Sequence, residues 1–113
     1  MADASVETTA SGRCLVAKVS GAMDFQTEPV LRARFSELIA QSDRCIVLDL
    51  SGVTFCDSAG LSVLIRAWQQ PGAGGTVLAC VPESLRLILR TTAMDRVLRV
   101  FDTVAEAEAA FDV

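Results

Sequence analysis

An α/β fold built on a mostly parallel sheet is predicted by three observations. Apolar, strand-like runs alternate with segments whose apolar residues recur at helical spacing, and this pairing repeats four times along the chain. The run Cys45-Ile46-Val47-Leu48 is continuously apolar, as expected of a strand covered on both faces. The chain has 113 residues, of which 51% are hydrophobic, enough to bury one core without staples. The expectation is a single domain over residues 1–113, with a sheet of four to five strands, about four helices and an antiparallel N-terminal strand.

Taken in order, residues Val6–Ala10 form a candidate first strand. It is turned back at Ser11-Gly12 onto the strand Cys14–Val19. Gly21 and Asp24 mark a turn. From Glu28 to Gln41, Leu31, Phe35, Leu38 and Ile39 lie on one helical face, with Pro29 in the first turn and Thr27 as candidate cap. After Cys45–Leu48, Ser51-Gly52 signals a turn or bulge, followed by the short pair Phe55-Cys56. Leu61, Leu64, Ile65 and Trp68 then give the clearest helix face, predicted to pack on the sheet. The loop Pro71–Gly75 ends this helix, and Thr76–Val81 is a strand. Pro82 opens a helix bearing Leu85, Ile88 and Leu89. Val97–Val100 is a short last strand, and Val104, Ala107 and Phe111 mark a final helix capped by Asp102 or Thr103.

Composition excludes much chemistry. With no His and no Tyr, histidine general acid/base catalysis, Ser-His-Asp triads and His metal ligands are all removed. Cys14, Cys45, Cys56 and Cys80 form no C-x-x-C pair. Cys14, Cys45 and Cys80 sit in apolar runs and read as buried thiols in a reducing compartment. Cys56 stands out beside Asp57, a neighbour that disfavours a thiolate. The net charge is −4, the ten basic residues are scattered and the aromatics are only five Phe and one Trp, so no direct nucleic-acid contact is expected. The Gly-rich loop follows a helix instead of opening one, the reverse of a phosphate cradle. No cofactor, metal site or catalytic residue is therefore expected. No apolar run is long enough to span a membrane, and Met1–Ser5 has no basic or apolar leader character; a cytoplasmic protein is expected, with the monomer favoured.

In an open parallel sheet, ligands and partners use the rim at the carboxyl ends of the strands. Here that rim holds Met23–Gln26, Phe55–Leu61 and Val81–Ser84. Asp57-Ser58-Ala59-Gly60-Leu61 lies between a strand and the strongest helix. One reading is that Asp57 and Ser58 merely cap that helix. The other is that Ser58 is a covalent switch. A phosphate at a helix N-terminus would meet unpaired backbone N–H groups and the favourable end of the macrodipole, and would add a charge of about −1.5 to −2. Ser58 as a hydrolytic nucleophile is unsupported, because no His is present, the G-x-S-x-G elbow is absent and Lys18 is the only lysine.

Three segments in order give the chain a family resemblance. Ile46–Leu61, containing Asp57-Ser58-Ala59-Gly60-Leu61, is similar to the strand, D-S-x-G-L loop and helix of STAS domains. This is the family of anti-sigma factor antagonists. Ser20–Asp24 resembles that family's turn after the second strand, and Ala93–Phe101 its late segment; the likeness covers residues 13 to 112. It implies partner switching. The unmodified protein binds an anti-sigma factor that is a serine kinase, and the kinase phosphorylates the loop serine and so ends the interaction. A serine phosphatase resets the cycle, in pathways such as stress response and sporulation. By motif position the phosphoacceptor is Ser58, with Asp57 and Asp24 as its rim neighbours; the expected partner contacts are Met23, Asp24, Phe25, Asp57, Ser58, Ala59, Gly60 and Leu61, and whichever of Met23, Phe25 and Phe55 is exposed is a candidate anchor. The alternative implied by the family is a scaffold or transporter-associated subunit that is never phosphorylated. Ala59 removes a second hydroxyl common in the loop, leaving Ser62 as a minor alternative acceptor. Ala93 stands where the family has Gly. If that Gly serves a positive φ, alanine costs about 1 kcal/mol there or the turn differs.

Overall fold

The computed structural model describes residues 4–70 and 74–111. Five strands lie in one sheet in chain order: β1 (Ala4–Ser11), β2 (Cys14–Met23), β3 (Cys45–Cys56), β4 (Thr76–Ala79) and β5 (Val100–Phe101). β1 pairs antiparallel with β2 around Gly12-Arg13, Ser11 facing Cys14 and Ala4 facing Gly21. All later pairs are parallel and need crossovers. Helices α1 (Glu28–Gln41), α2 (Ser58–Gln69) and α3 (Glu83–Thr91) supply them, and α4 (Val104–Ala109) follows β5. The predicted class, antiparallel first strand and four helices are all present. The predicted residues Met1–Asp3 and Pro71–Ala73, and Asp112 at the end of the core, lie outside the described residues.

Crossovers that step one way across a sheet with one hand place their helices on one face. The packing follows suit. Leu31, Phe35 and Ile39 of α1, Val63, Leu64 and Ala67 of α2 and Leu85 and Leu89 of α3 share one buried cluster with Ala17, Val19, Leu48, Leu50 and Leu78 of the sheet. Among the described residues the opposite face is covered by α4, whose Ala107 packs with Cys14, Cys45, Val47, Val77 and Ala79.

That uneven cover explains why β3 reads as two pieces in the sequence. Cys45–Leu48 is buried on both faces; beyond it the open face alternates with the core, Asp49 half-buried, Ser51 and Thr54 exposed, Leu50 and Val53 buried. The bulge signal at Ser51-Gly52 is real. The β2–β3 register slips between Lys18 and Ser20 and again between Gly21 and Ala22, yet the strand continues to Cys56.

Other expectations need correction. Trp68 is 38% exposed, because the line of α2 that meets the core is Gly60, Val63, Leu64 and Ala67. Small residues let the helix approach closely, so the deepest positions are not those with the largest side chains; Ile65 and Leu61 flank this line half-buried. The strand expected at Val97–Val100 shrinks to Val100–Phe101. A short 3₁₀ turn, Met94–Arg96, precedes it, and the buried Leu98 lies in the irregular link. β4 ends at Ala79, since Cys80 has φ +57° and turns the chain out; Cys80 is only half-buried. Ala93 has φ +61° and ψ +17°, so the turn keeps the geometry that favours Gly and bears a cost of about 1 kcal/mol for alanine.

Candidate functional site

Two turns at the carboxyl ends of β2 and β3 are built alike. In the first, Asp24 Oδ1 accepts hydrogen bonds from the backbone N–H of Gln26 (2.9 Å) and Thr27 (3.0 Å). In the second, Asp57 Oδ1 accepts from the N–H of Ala59 (2.9 Å) and Gly60 (3.1 Å). A short acidic side chain after a strand folds back on the next turn in this way because its oxygen reaches the donors two and three residues ahead. Each turn leads into a helix: Glu28 N–H bonds Asp24 O at 2.9 Å, and Leu61 N–H bonds Asp57 O at 2.9 Å.

The turns are tied together at Met23. Ala22 pairs with Phe55 and Met23 with Cys56 across the sheet, and Asp57 N–H donates to Met23 O at 3.2 Å. The first turn of α2 sits directly on this junction. A Cβ on Gly60 would lie 2.3 Å from Met23 O and 2.8 Å from both Cys56 Sγ and Met23 Cβ, so only glycine fits without a shift.

Thr27 does not cap α1 with its side chain. Its buried hydroxyl instead donates to Ala22 O (2.8 Å) and accepts from Asp24 N–H (3.0 Å), pinning the turn to the end of β2.

The predicted contact residues separate by exposure. Ser58 is exposed, and Phe25 is 81% exposed; Asp24, Asp57, Ala59 and Leu61 are half-buried. Met23 is withdrawn from the contact set: its side chain is fully buried in the core beneath both turns. Gly60 is buried too, and its role is the close approach just described. Phe55, expected on the rim, is 53% exposed, and Val30 in the first turn of α1 is a further exposed apolar side chain at 65%. Val30 was detectable in the sequence as an apolar residue out of phase with Leu31, Phe35 and Ile39.

Ser58 occupies the first position of α2, and its hydroxyl makes no hydrogen bond among the described residues. The cap is Asp57 alone. This revises the electrostatics expected for a phosphate. Two of the N–H groups such an anion would use, those of Ala59 and Gly60, already bond the Asp57 carboxylate. A phosphoryl group on Ser58 would sit beside a carboxylate instead of in an empty anion cradle, and its charge would remain at the surface. Behind the turn, Cys56 is buried, only 8% exposed. Burial first, and the Asp57 charge second, push its thiol up to about 11, so it stays protonated at neutral pH. Its S–H donates to Asp57 O at 3.5 Å.

The STAS domain model matches residues 5–107. The anti-sigma F factor antagonist of Paenibacillus polymyxa is 27% identical over 103 residues, covering 88% of this chain and 87% of the relative. A crystal structure of an anti-sigma factor antagonist from Mycobacterium paratuberculosis superposes with a TM-score of 0.89 at 24% identity, over 98% of this chain and 96% of that one. A sulfate transporter family protein from Wolinella succinogenes shares the fold with a TM-score of 0.72 at 20% identity, over 92% of this chain and 88% of that one. Among the described residues no helix is long and apolar enough to cross a membrane.

Proposed function

The chain belongs to the STAS domain family, and from that membership and the geometry of the Ser58 turn we propose that it is an anti-sigma factor antagonist working by partner switching. Unmodified, it binds an anti-sigma factor through the rim formed by the Asp24 and Asp57 turns. Phe25, Phe55 and Val30 supply the apolar anchors, and Ser58 follows Asp57 in the second of the two turns. The anti-sigma factor is a serine kinase that transfers a phosphoryl group from ATP to Ser58 Oγ, and a serine phosphatase removes it. The chain acts in the cytoplasm and performs no catalysis of its own.

The observation that carries this reading is the state of the Ser58 hydroxyl. It is exposed, free of hydrogen bonds among the described residues and set at the mouth of a helix whose cap is supplied by its neighbour. The fold therefore tolerates its modification. A partner surface packed on Phe25 and Phe55 does not, because a charge of about −1.5 to −2 would have to be desolvated next to Asp57. A penalty of about 2.8 kcal/mol already weakens binding a hundredfold.

The test is a phosphate-affinity gel of the chain with anti-sigma kinases of its host and ATP. One shifted band is expected, absent in Ser58→Ala, together with capture of the kinase by the unmodified chain only. A band that persists in Ser58→Ala moves the site elsewhere, with Ser62 the first candidate. No shift with any such kinase would favour a scaffold or transporter-associated role, which the same fold in the sulfate transporter relative keeps in view.

A further inference from the structure

At the opposite end of the same two strands lies a pair of cysteines that the partner surface does not use. Cys14 opens β2 and Cys45 opens β3, and they are register partners in the parallel ladder. Both point to the face covered by α4, where they are 1% and 5% exposed. Their sulfurs are 2.8 Å apart, and Cys45 S–H also donates to Arg13 O at 3.2 Å. Neighbouring strands run about 4.8 Å apart, inside the range of about 4.4–6.8 Å that a disulfide needs between Cα atoms.

Cys45 borders a cleft on one side. A cleft of about 420 Å³ opens between Arg13, Asp43, Arg44, Gly74 and Phe111, and Cys45 forms part of its wall. Gly74 belongs to this arrangement: a Cβ there would fall 2.5 Å from Cys45 Cα and 2.7 Å from Cys45 Cβ. Of the other two cysteines, Cys80 packs against the edge of the same α4-side cluster. Cys56 ends β3 under the Ser58 turn, and Cys80 follows β4.

We propose that Cys14 and Cys45 are a redox site, forming an intramolecular disulfide when the chain meets a low-molecular-weight disulfide such as oxidised glutathione. Cys45, which borders the cleft, reacts first. Its thiol gives up a proton, the sulfur attacks one sulfur of the oxidant, and one small thiolate leaves. Cys14 then loses its proton and attacks Cys45 Sγ in the mixed disulfide, and the second small thiolate leaves. One S–S bond breaks and one forms. The oxidant takes both electrons and, as two thiols, both protons. The link staples the amino ends of β2 and β3 and closes a loop containing β2 and α1. It constrains the unfolded chain, so the oxidised protein is more stable. Because the pair lies at the far end of the strands from Ser58, the two sites operate independently.

The experiment treats the folded, full-length chain with oxidised glutathione and then blocks remaining thiols with N-ethylmaleimide. The expected product is lighter by two hydrogens and takes two maleimides in place of the four that the reduced chain takes after unfolding. Trypsin should release Cys14–Lys18 bonded to Cys45–Arg66, and fragmentation should place the bond on Cys45 and not on Cys56, which shares that peptide. Melting temperature should rise on oxidation and return with dithiothreitol. Ser58→Ala should form the link unchanged, which separates this site from the phosphorylation reading. Cys14→Ala should stop at a glutathione adduct on Cys45. Four blocked thiols after treatment, a lasting glutathione adduct in the unsubstituted chain, or a link through Cys56, Cys80 or a second copy would each overturn the proposal.

Discussion

The Asp24 and Asp57 turns use the same device and display opposite chemistry. Each folds an aspartate oxygen onto the N–H groups two and three residues ahead, and each leaves the residue just after the aspartate exposed. In one turn that residue is Phe25, an exposed apolar ring; in the other it is Ser58, a hydroxyl. What differs below is the attachment. The first turn is held by the buried hydroxyl of Thr27, the second by the absence of a side chain at Gly60. The displayed residue is thus decoupled from the device that presents it, which leaves it able to change or be modified without disturbing the fold.

The largest effect should come from the shared foundation. Leu64 is fully buried where α2 meets the sheet. Leu64→Ala is expected to cost about 2–5 kcal/mol in chemical denaturation. An unchanged midpoint would show that α2 does not anchor the second turn. Next come the two attachments. Gly60→Ala forces a Cβ against the Met23 carbonyl, which cannot swing aside as a side-chain end would, and should cost about 1–3 kcal/mol. Thr27→Val keeps shape but leaves Ala22 O and Asp24 N–H without their hydroxyl partner, again about 1–3 kcal/mol. If only one of these two variants loses stability, the turns are not equivalent in their fastening. Asp57→Ala removes the α2 cap and should cost about 1 kcal/mol. A much smaller loss would mean that water replaces Asp57 at those two N–H groups.

The sequence reveals the architecture and the exposed turn serine more readily than the anatomy of the rim. Alternating strands and helices are written in local periodicity, and so is α1, whose predicted span Glu28–Gln41 is the observed one. Asp57-Ser58 is legible because a cap residue and a strand ending must coincide there. Burial at the rim is not legible locally. Met23 and Phe25 are neighbours of similar hydrophobicity, yet one is fully buried and the other 81% exposed, because Asp24 turns the chain between them. Trp68 misleads for a related reason: the pattern weighs size, whereas the helix approaches its neighbours along Gly60 and Ala67. The hold of Asp57 on the N–H groups of Ala59 and Gly60 depends on a side-chain direction that the order of residues does not fix. The Cys14–Cys45 pair depends on parallel register, a property of two segments separated by α1.

The smallest expected change in stability belongs to the displayed residues themselves. Phe25→Ser removes a ring that is 81% exposed, and Ser58→Asp places a carboxylate in the first turn of α2, where the helix end favours it but Asp57 opposes it. Neither substitution opens a cavity or strands a buried polar group, so each should stay within about 0.5 kcal/mol of the parent chain. Binding to the anti-sigma factor should respond quite differently. On the proposed function, Phe25→Ser removes an apolar anchor and Ser58→Asp places charge in the interface, so both should weaken the complex at unchanged melting temperature. The pairing of the two measurements is what tests the decoupling of display from support. If either variant unfolds the protein by more than about 1 kcal/mol, that side chain supports its own turn, and the division between pedestal and displayed residue fails at that turn.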